Sequence, residues 1–138
     1  MQVREAMART ISTAAPGDTL QRVAQLMKQE DAGFIPVVEG DSLRGVITDR
    51  DIVLRCLAEG HDVLHERADH CMTRDVATVD AGADISEAAR LMESRAIRRL
   101  PVMEGGRVVG VLSHGNLVQA THSEGPGDMA TLGVTKGA

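Results

Sequence analysis

Thr48 and Asp51 stand three residues apart, and Ser113 and Asn116 repeat the arrangement later in the chain. Each pair sets a hydroxyl and an acid or amide where an apolar run gives way to a helical pattern. By spacing alone this is a helix cap, in which the hydroxyl and the acid or amide satisfy free backbone N–H groups. The same groups suit a ligand, since a carboxylate accepts hydrogen bonds from hydroxyls and a helix N-terminus favours an anion. Asn116 offers only a neutral acceptor, so the second pair is expected to be the weaker or the different one. Arg98 and Arg99 precede the second apolar run. Their planar guanidinium groups suit bidentate phosphate contacts, although with Arg90 and Arg95 they also complement the end of the preceding helix. Gly33 and Phe34 hold the matching positions of the first half and bring no charge.

His61, His65 and His70, with Cys71, form a third cluster. A zinc site needs such ligands converging tetrahedrally, and this spacing matches no standard zinc motif. A solvated linker without metal is the expected reading. The chain has no P-loop, no Gly-x-Ser-x-Gly elbow and no complete dinucleotide fingerprint. No catalytic residue is therefore assigned, and an enzyme is not expected.

The elements that must position these groups come in two copies. Met7 aligns with Met72, Leu26-Met27 with Leu91-Met92, Pro36-Val37 with Pro101-Val102, and Gly45-Val46 with Gly110-Val111, all at one constant offset. Self-similarity of this kind outranks any local motif. Leu20, Val23, Ala24 and Met27 fall at helical spacing behind the cap Thr19, and Ile85, Ala88, Ala89 and Met92 repeat them. Asp84 is the second cap, and Glu87 is expected to complete a capping box with it. Two short strands joined by a Gly-containing turn follow, Ile35–Val38 with Leu43–Thr48 and Leu100–Met103 with Val108–Ser113. The proline in the first strand of each hairpin restricts it to an edge or to the strand's opening residues. A second helix follows, with Ile52, Val53, Cys56 and Leu57 as its apolar face and Gly60 as its C-cap. Short lead-ins, Val3–Met7 and Ala68–Met72, precede the two copies. The expected order in each is strand, helix, strand, strand, helix.

The chain has 138 residues, enough for one compact domain or two small subdomains, and its formal charge is −5. That charge argues against a general nucleic-acid binder, and Phe34 as the sole aromatic removes base-stacking platforms. Phe34 reads as a core residue. No apolar run approaches a membrane span, and the first residues lack an apolar signal core, so a cytoplasmic protein is expected. Cys56 and Cys71 are then expected to be structural thiols.

Two tandem units with an apolar-Pro-Val strand and a Gly-h-h-(Ser/Thr)-x-x-(Asp/Asn) signature, where h is apolar, resemble a CBS-domain pair, or Bateman module. The signature reads Gly45-Val46-Ile47-Thr48-Asp49-Arg50-Asp51 and Gly110-Val111-Leu112-Ser113-His114-Gly115-Asn116. The resemblance implies an α+β fold of tandem β-α-β-β-α repeats with pseudo-twofold symmetry, two small sheets flanked by helices. It divides the chain into a first repeat with its lead-in over 1–61, a linker and lead-in over 62–71 and a second repeat over 72–121, and the Ser, Gly, Pro and Thr without periodicity from His122 lead to the expectation of a disordered tail over 122–138. It also implies a regulatory sensor that requires no cofactor and binds AMP, ADP, ATP, NAD or S-adenosylmethionine in clefts between the repeats. Thr48 and Asp51 would then hold ribose and phosphate in one site, with Ser113, Asn116, Arg98 and Arg99 in the other. Ile11 and Val76, in the first strand of each repeat, would meet the base through backbone groups. A homodimer acting on a regulated protein of unknown identity completes the expectation. The alternatives are a nucleotide-free scaffold dimer and a metal-responsive regulator built on the linker histidines.

Overall fold

The computed structural model describes residues 1–124. It contains two compact units that do not follow the order of the repeats along the chain. Among the described residues one comprises Ile11–Val76, and the other joins Met1–Thr10 to residues 77–124. Each lead-in therefore packs in the unit built mainly from the opposite repeat.

In the Ile11–Val76 unit, helix α2 (Leu20–Glu30) begins at Thr19, whose side chain accepts from the Arg22 amide as expected. Strands β1 (Phe34–Glu39) and β2 (Ser42–Thr48) pair antiparallel, with the tight turn made by Gly40 at φ 63°. The single turn α3 (Asp49–Asp51) leads directly into a π-helical segment, Ile52–Leu57. The second lead-in, α4 (Ala68–Cys71), closes the unit. Leu20, Val23, Ile35, Val37 and Ile47 are fully or almost fully buried in its core. Burying side chains of this kind stabilises a fold by roughly 1.5–3 kcal/mol each.

The other unit repeats the plan with α1 (Val3–Ala6), β3 (Val79–Asp80), α5 (Ile85–Arg95), β4 (Arg99–Glu104), β5 (Arg107–Ser113) and α6 (His114–Glu124). Its core gathers Val3, Ala88, Leu100, Val102 and Leu112, all fully buried. The lead-ins dock by the same device in both units. Ala8 and Val111 exchange backbone hydrogen bonds of 2.9 and 3.1 Å, and Thr73 and Val46 do so at 2.8 and 3.0 Å. A Cβ on Gly110 would lie 2.6 Å from the Ala8 carbonyl oxygen and 2.7 Å from the Met7 sulfur. On Gly45 it would lie 2.6 Å from the Thr73 carbonyl oxygen and 2.8 Å from the Met72 sulfur. The signature glycines are thus the seats of the exchanged methionines.

Several expectations are corrected. The first strand of each repeat shrinks to a bridge at Ala14 (to Val37) and to the two residues of β3, and Ile11 and Val76 lie outside both. β4 is the middle strand of its sheet, so Pro101 is not on an edge. It is an opening residue instead: the parallel ladder with β3 begins at Val102, one residue after the missing N–H. Glu87 completes no capping box, because the Asp84 side chain accepts from the Ser86 amide one residue earlier. Of the apolar face proposed for the second helix, Cys56 is buried while Val53 and Leu57 are 49% and 58% exposed. The cause is the wider winding, seen in bonds of 2.8 Å from Ala58 N to Val53 O and 2.9 Å from His61 N to Cys56 O, which turn the side chains away from their α-helical positions. Gly60 does occupy the left-handed region, at φ 81°. Residues His122–Glu124 continue α6 rather than opening a tail, and positions 125–138 of that expected tail lie outside the described residues. No helix among the described residues is long and apolar enough to cross a membrane.

Candidate functional site

β2 ends at Thr48, and the chain turns there into α3. Because that first turn lacks intrahelical partners for its N–H groups, nearby side chains must supply them. The Asp51 amide donates to Thr48 Oγ1 at 3.1 Å, and the Thr48 amide donates to Asp51 Oδ2 at 3.0 Å. The other carboxylate oxygen, Oδ1, lies 3.7 Å from Arg55 Nε, and the side chain of Asp51 retains 15% of its exposure. Beneath it, the Cys71 thiol donates to the Asp51 carbonyl oxygen at 3.6 Å. Phe34 lies opposite Thr48 in the β1–β2 register. The Asp49 amide donates to Gly33 O at 3.1 Å, and the Asp49 carboxylate fills the space a Cβ on Gly33 would need, 2.5 Å away. Gly33 is therefore bare because its neighbour covers it.

The second junction has the same backbone. The Asn116 amide donates to Ser113 Oγ at 3.0 Å, and the Ser113 amide donates to Asn116 Oδ1 at 3.0 Å. The His114 amide donates to Arg98 O at 2.7 Å, and Arg99 lies opposite Ser113 in the β4–β5 register. Arg98 is exposed and Arg99 half-buried. Among the described residues, His114 Nδ1 is buried without a hydrogen-bond partner. The fold thus gathers Ser113, Asn116, Arg98 and Arg99 at one junction, and Thr48 with Asp51 at the other. Ile11 and Val76 sit in irregular, half-buried backbone, and no hydrogen bond among the described residues ties them to either junction.

Asp49 and His114 were legible as members of the two signatures, whereas sequence reasoning did not foresee Arg55 or Cys71 at the first junction. Arg55 carries a local signal, four residues after Asp51, whereas Cys71 is brought there only by the packing of α4.

The linker histidines pair with carboxylates. His70 Nδ1 lies 2.6 Å and His61 Nδ1 3.1 Å from the two oxygens of Glu66, and His65 Nδ1 lies 2.6 Å from Asp62. The His70 hydrogen bond is the main cause holding the Glu66 carboxyl below its usual range, as the His65 bond is for Asp62. Among the described residues no three or more His, Cys, Asp or Glu side chains are arranged to hold a metal ion. Cys71 itself is buried in the core.

The CBS domain family matches the chain twice, over residues 3–57 and 68–123. The CBS domain-containing protein YhcV of Bacillus subtilis is 35% identical over 130 residues, covering 94% of this chain and 92% of YhcV. Hypoxic response protein 1 of Mycobacterium tuberculosis is 33% identical over 117 residues, covering 84% of this chain and 82% of that protein. Its crystal structure, with two coordinated zinc ions, superimposes with a TM-score of 0.81 over 86% of this chain and 98% of that one, at 32% identity. A hexameric CBS-CP12 protein from bloom-forming cyanobacteria superimposes with a TM-score of 0.76 at 28% identity, over 91% of this chain and 75% of that one. With both signatures, both hairpins and both junction boxes in place, this chain belongs to the CBS-domain family and carries the domain as a tandem pair.

Proposed function

We propose that this CBS pair is a cytoplasmic, non-catalytic sensor that binds an adenosine-containing ligand and relays its occupancy to a partner protein. Binding regulation to adenosyl ligands is the general role of such pairs; AMP, ADP, ATP, NAD and S-adenosylmethionine are the candidates here. The observation that carries the reading is Asp51. One carboxylate oxygen closes the capping box, while the other lies 3.7 Å from Arg55 Nε, and the side chain keeps 15% of its exposure for a ribose hydroxyl to reach. Capping and ligand binding therefore do not compete for the same atom. Thr48 completes this site, and Ser113, Asn116, Arg98 and Arg99 form a second site better suited to phosphate. Ile11 and Val76 are assigned backbone contacts to the base. The ligand acts by binding two conformations of the protein unequally. The exposed apolar side chains Val53, Leu54 and Leu57 support self-association as a homodimer.

Asp51→Asn tests the assignment cleanly, because Asn116 demonstrates that an amide can close the box. A ligand at ~100 times its Kd raises the stability of the folded form by about 2.7 kcal/mol. Thermal unfolding with the five compounds should show such a shift for one of them in the wild type and a reduced shift in Asp51→Asn. An identical shift in both proteins removes Asp51 from the site.

A second reading, a zinc-responsive regulator, is favoured by the zinc ions of the hypoxic response protein structure. It is opposed here by the pairing of the linker histidines with carboxylates. Stabilisation by zinc that disappears in His70→Ala, without any response to nucleotides, would establish it.

A further inference from the structure

Cys56 and Cys71 are the chain's two cysteines, and the fold buries both in one core although they lie on separate elements. Cys56 is in the π-helical segment, and Cys71 closes α4. Both are free thiols, 1% and 2% exposed, within the core of the Ile11–Val76 unit. The π-helical segment packs against α4, and Cys71 Sγ contacts the Asp51 carbonyl oxygen, one π-helical turn before Cys56, at 3.6 Å. Thr121 and Ala6 occupy the matching positions of the other repeat. Thr121 turns its hydroxyl back onto the Leu117 and Val118 carbonyls, at 3.1 and 3.0 Å. The repeated fold thus forms without a thiol at either place, and the pair is peculiar to one unit.

We propose that Cys56 and Cys71 form a reversible disulfide, a redox modification site confined to the Ile11–Val76 unit. A low-molecular-weight disulfide is the oxidant. One cysteine, as thiolate, attacks a sulfur of that disulfide, forming a mixed disulfide and expelling one small thiolate. The second cysteine attacks the protein-side sulfur and expels the other. The two protons lost by the cysteines end on the two small thiols, so the cysteines are oxidised by two electrons and the oxidant is reduced by two. Burial, and then the neighbouring Cys56, push the Cys71 thiol up to about 12, so the closed pair is protonated and unreactive. Attack begins when the four-residue α4 opens locally. Once formed, the disulfide eliminates the S–H that contacts the Asp51 carbonyl and ties the π-helical segment to α4. An effect on ligand affinity at Thr48 and Asp51 rests on the function proposed above; the disulfide does not.

The test treats the full chain with oxidised glutathione and maps its peptides by mass under non-reducing conditions. The expected result is loss of two hydrogens, a peptide cross-linked through Cys56 and Cys71, and recovery of both thiols with dithiothreitol. Two thiols that both remain alkylatable after oxidation and denaturation overturn the proposal. Glutathione adducts or intermolecular cross-links without the internal bond also overturn it. The wild-type measurement is decisive even if Cys56→Ser, the cross-link-free control, folds poorly. Thermal shifts with the five adenosyl compounds are then compared before and after oxidation. A disulfide with an unchanged ligand response removes the link to Asp51, whereas no response in either form removes the sensor reading and leaves the disulfide standing.

Discussion

At the first junction a carboxylate closes the capping box, and at the second a carboxamide does so with bonds of nearly the same length. Around those shared bonds the side chains diverge. Asp49 packs on Gly33 at one junction, where His114 follows Ser113 and bonds to Arg98 at the other. Phe34 faces Thr48, and Arg99 faces Ser113. The helices that follow also part, π-helical with a buried cysteine in one unit and α-helical with a back-bonded threonine in the other. The difference separates what the fold requires from what it leaves free. Unsatisfied amides at a helix start must be bonded in both copies. Charge beside them is unconstrained by the fold, so under the proposed sensor reading ligand discrimination would reside in those surroundings.

The largest expected effect comes from breaking what the two units share. Gly45→Ala and Gly110→Ala each push a methyl group into a backbone carbonyl at 2.6 Å. Overpacking of this kind costs roughly 1–3 kcal/mol, read as a lower urea midpoint. Equal losses would confirm that both lead-ins dock alike, and a tolerated substitution in one unit would show that they do not.

Removing the caps should cost less. Asp51→Ala and Asn116→Ala each forfeit the acceptor that satisfies the Thr48 or Ser113 amide, a loss of about 1 kcal/mol by chemical denaturation. Asp51→Ala is expected to lose the more, because Arg55 also loses its carboxylate partner. A larger loss at Asn116 would reverse the ranking of the junctions.

A smaller gain is available at the C-caps of α2 and α5, where Asp31 and Ala96 sit in the left-handed region at φ 52° and 53°. Glycine relieves roughly 1–2 kcal/mol of Cβ strain there but gives back about 0.5–1 kcal/mol in unfolded-chain entropy. Ala96→Gly and Asp31→Gly should therefore raise stability slightly and to a similar degree. A melting curve shifted downward in either variant would contradict this.

The smallest effect is a difference in acid sensitivity. Asp62, Glu66 and Asp69 in one unit, and Asp84 in the other, have carboxyl pKa values lowered by folding. Asp84 is brought to about 2, chiefly by its hydrogen bond from the Ser86 side chain. A depressed carboxyl stabilises the fold above its unfolded pKa, near 3.8 for Asp and 4.5 for Glu, and that stability is lost as pH falls through the folded value. With three of the four groups, the Ile11–Val76 unit should lose amide protection first as pH falls below about 4.5. Hydrogen exchange by mass spectrometry distinguishes the units, and earlier loss around α5 would contradict the assignment.

The amino-acid sequence determined whatever depends on near neighbours. The spacing of Leu20, Val23 and Met27, and of Ile85, Ala88 and Met92, placed two helices, because an apolar stripe at helical period has one buried orientation. Thr48 with Asp51, and Ser113 with Asn116, were legible as pairs because hydrogen bonds across three residues need no distant partner. Even locally, competition escaped notice: Ser86 took the Asp84 cap expected to involve Glu87. The tertiary structure alone decided that Met7 rests on Gly110 and Met72 on Gly45, since closing a longer loop costs little extra and the better-fitting surface can lie in the opposite repeat. It also wound Ile52–Leu57 as a π-helix and brought Cys71 to Asp51, in the core that holds Cys56. Those outcomes depend on the shape of a core assembled from distant segments, which no periodicity along the chain encodes.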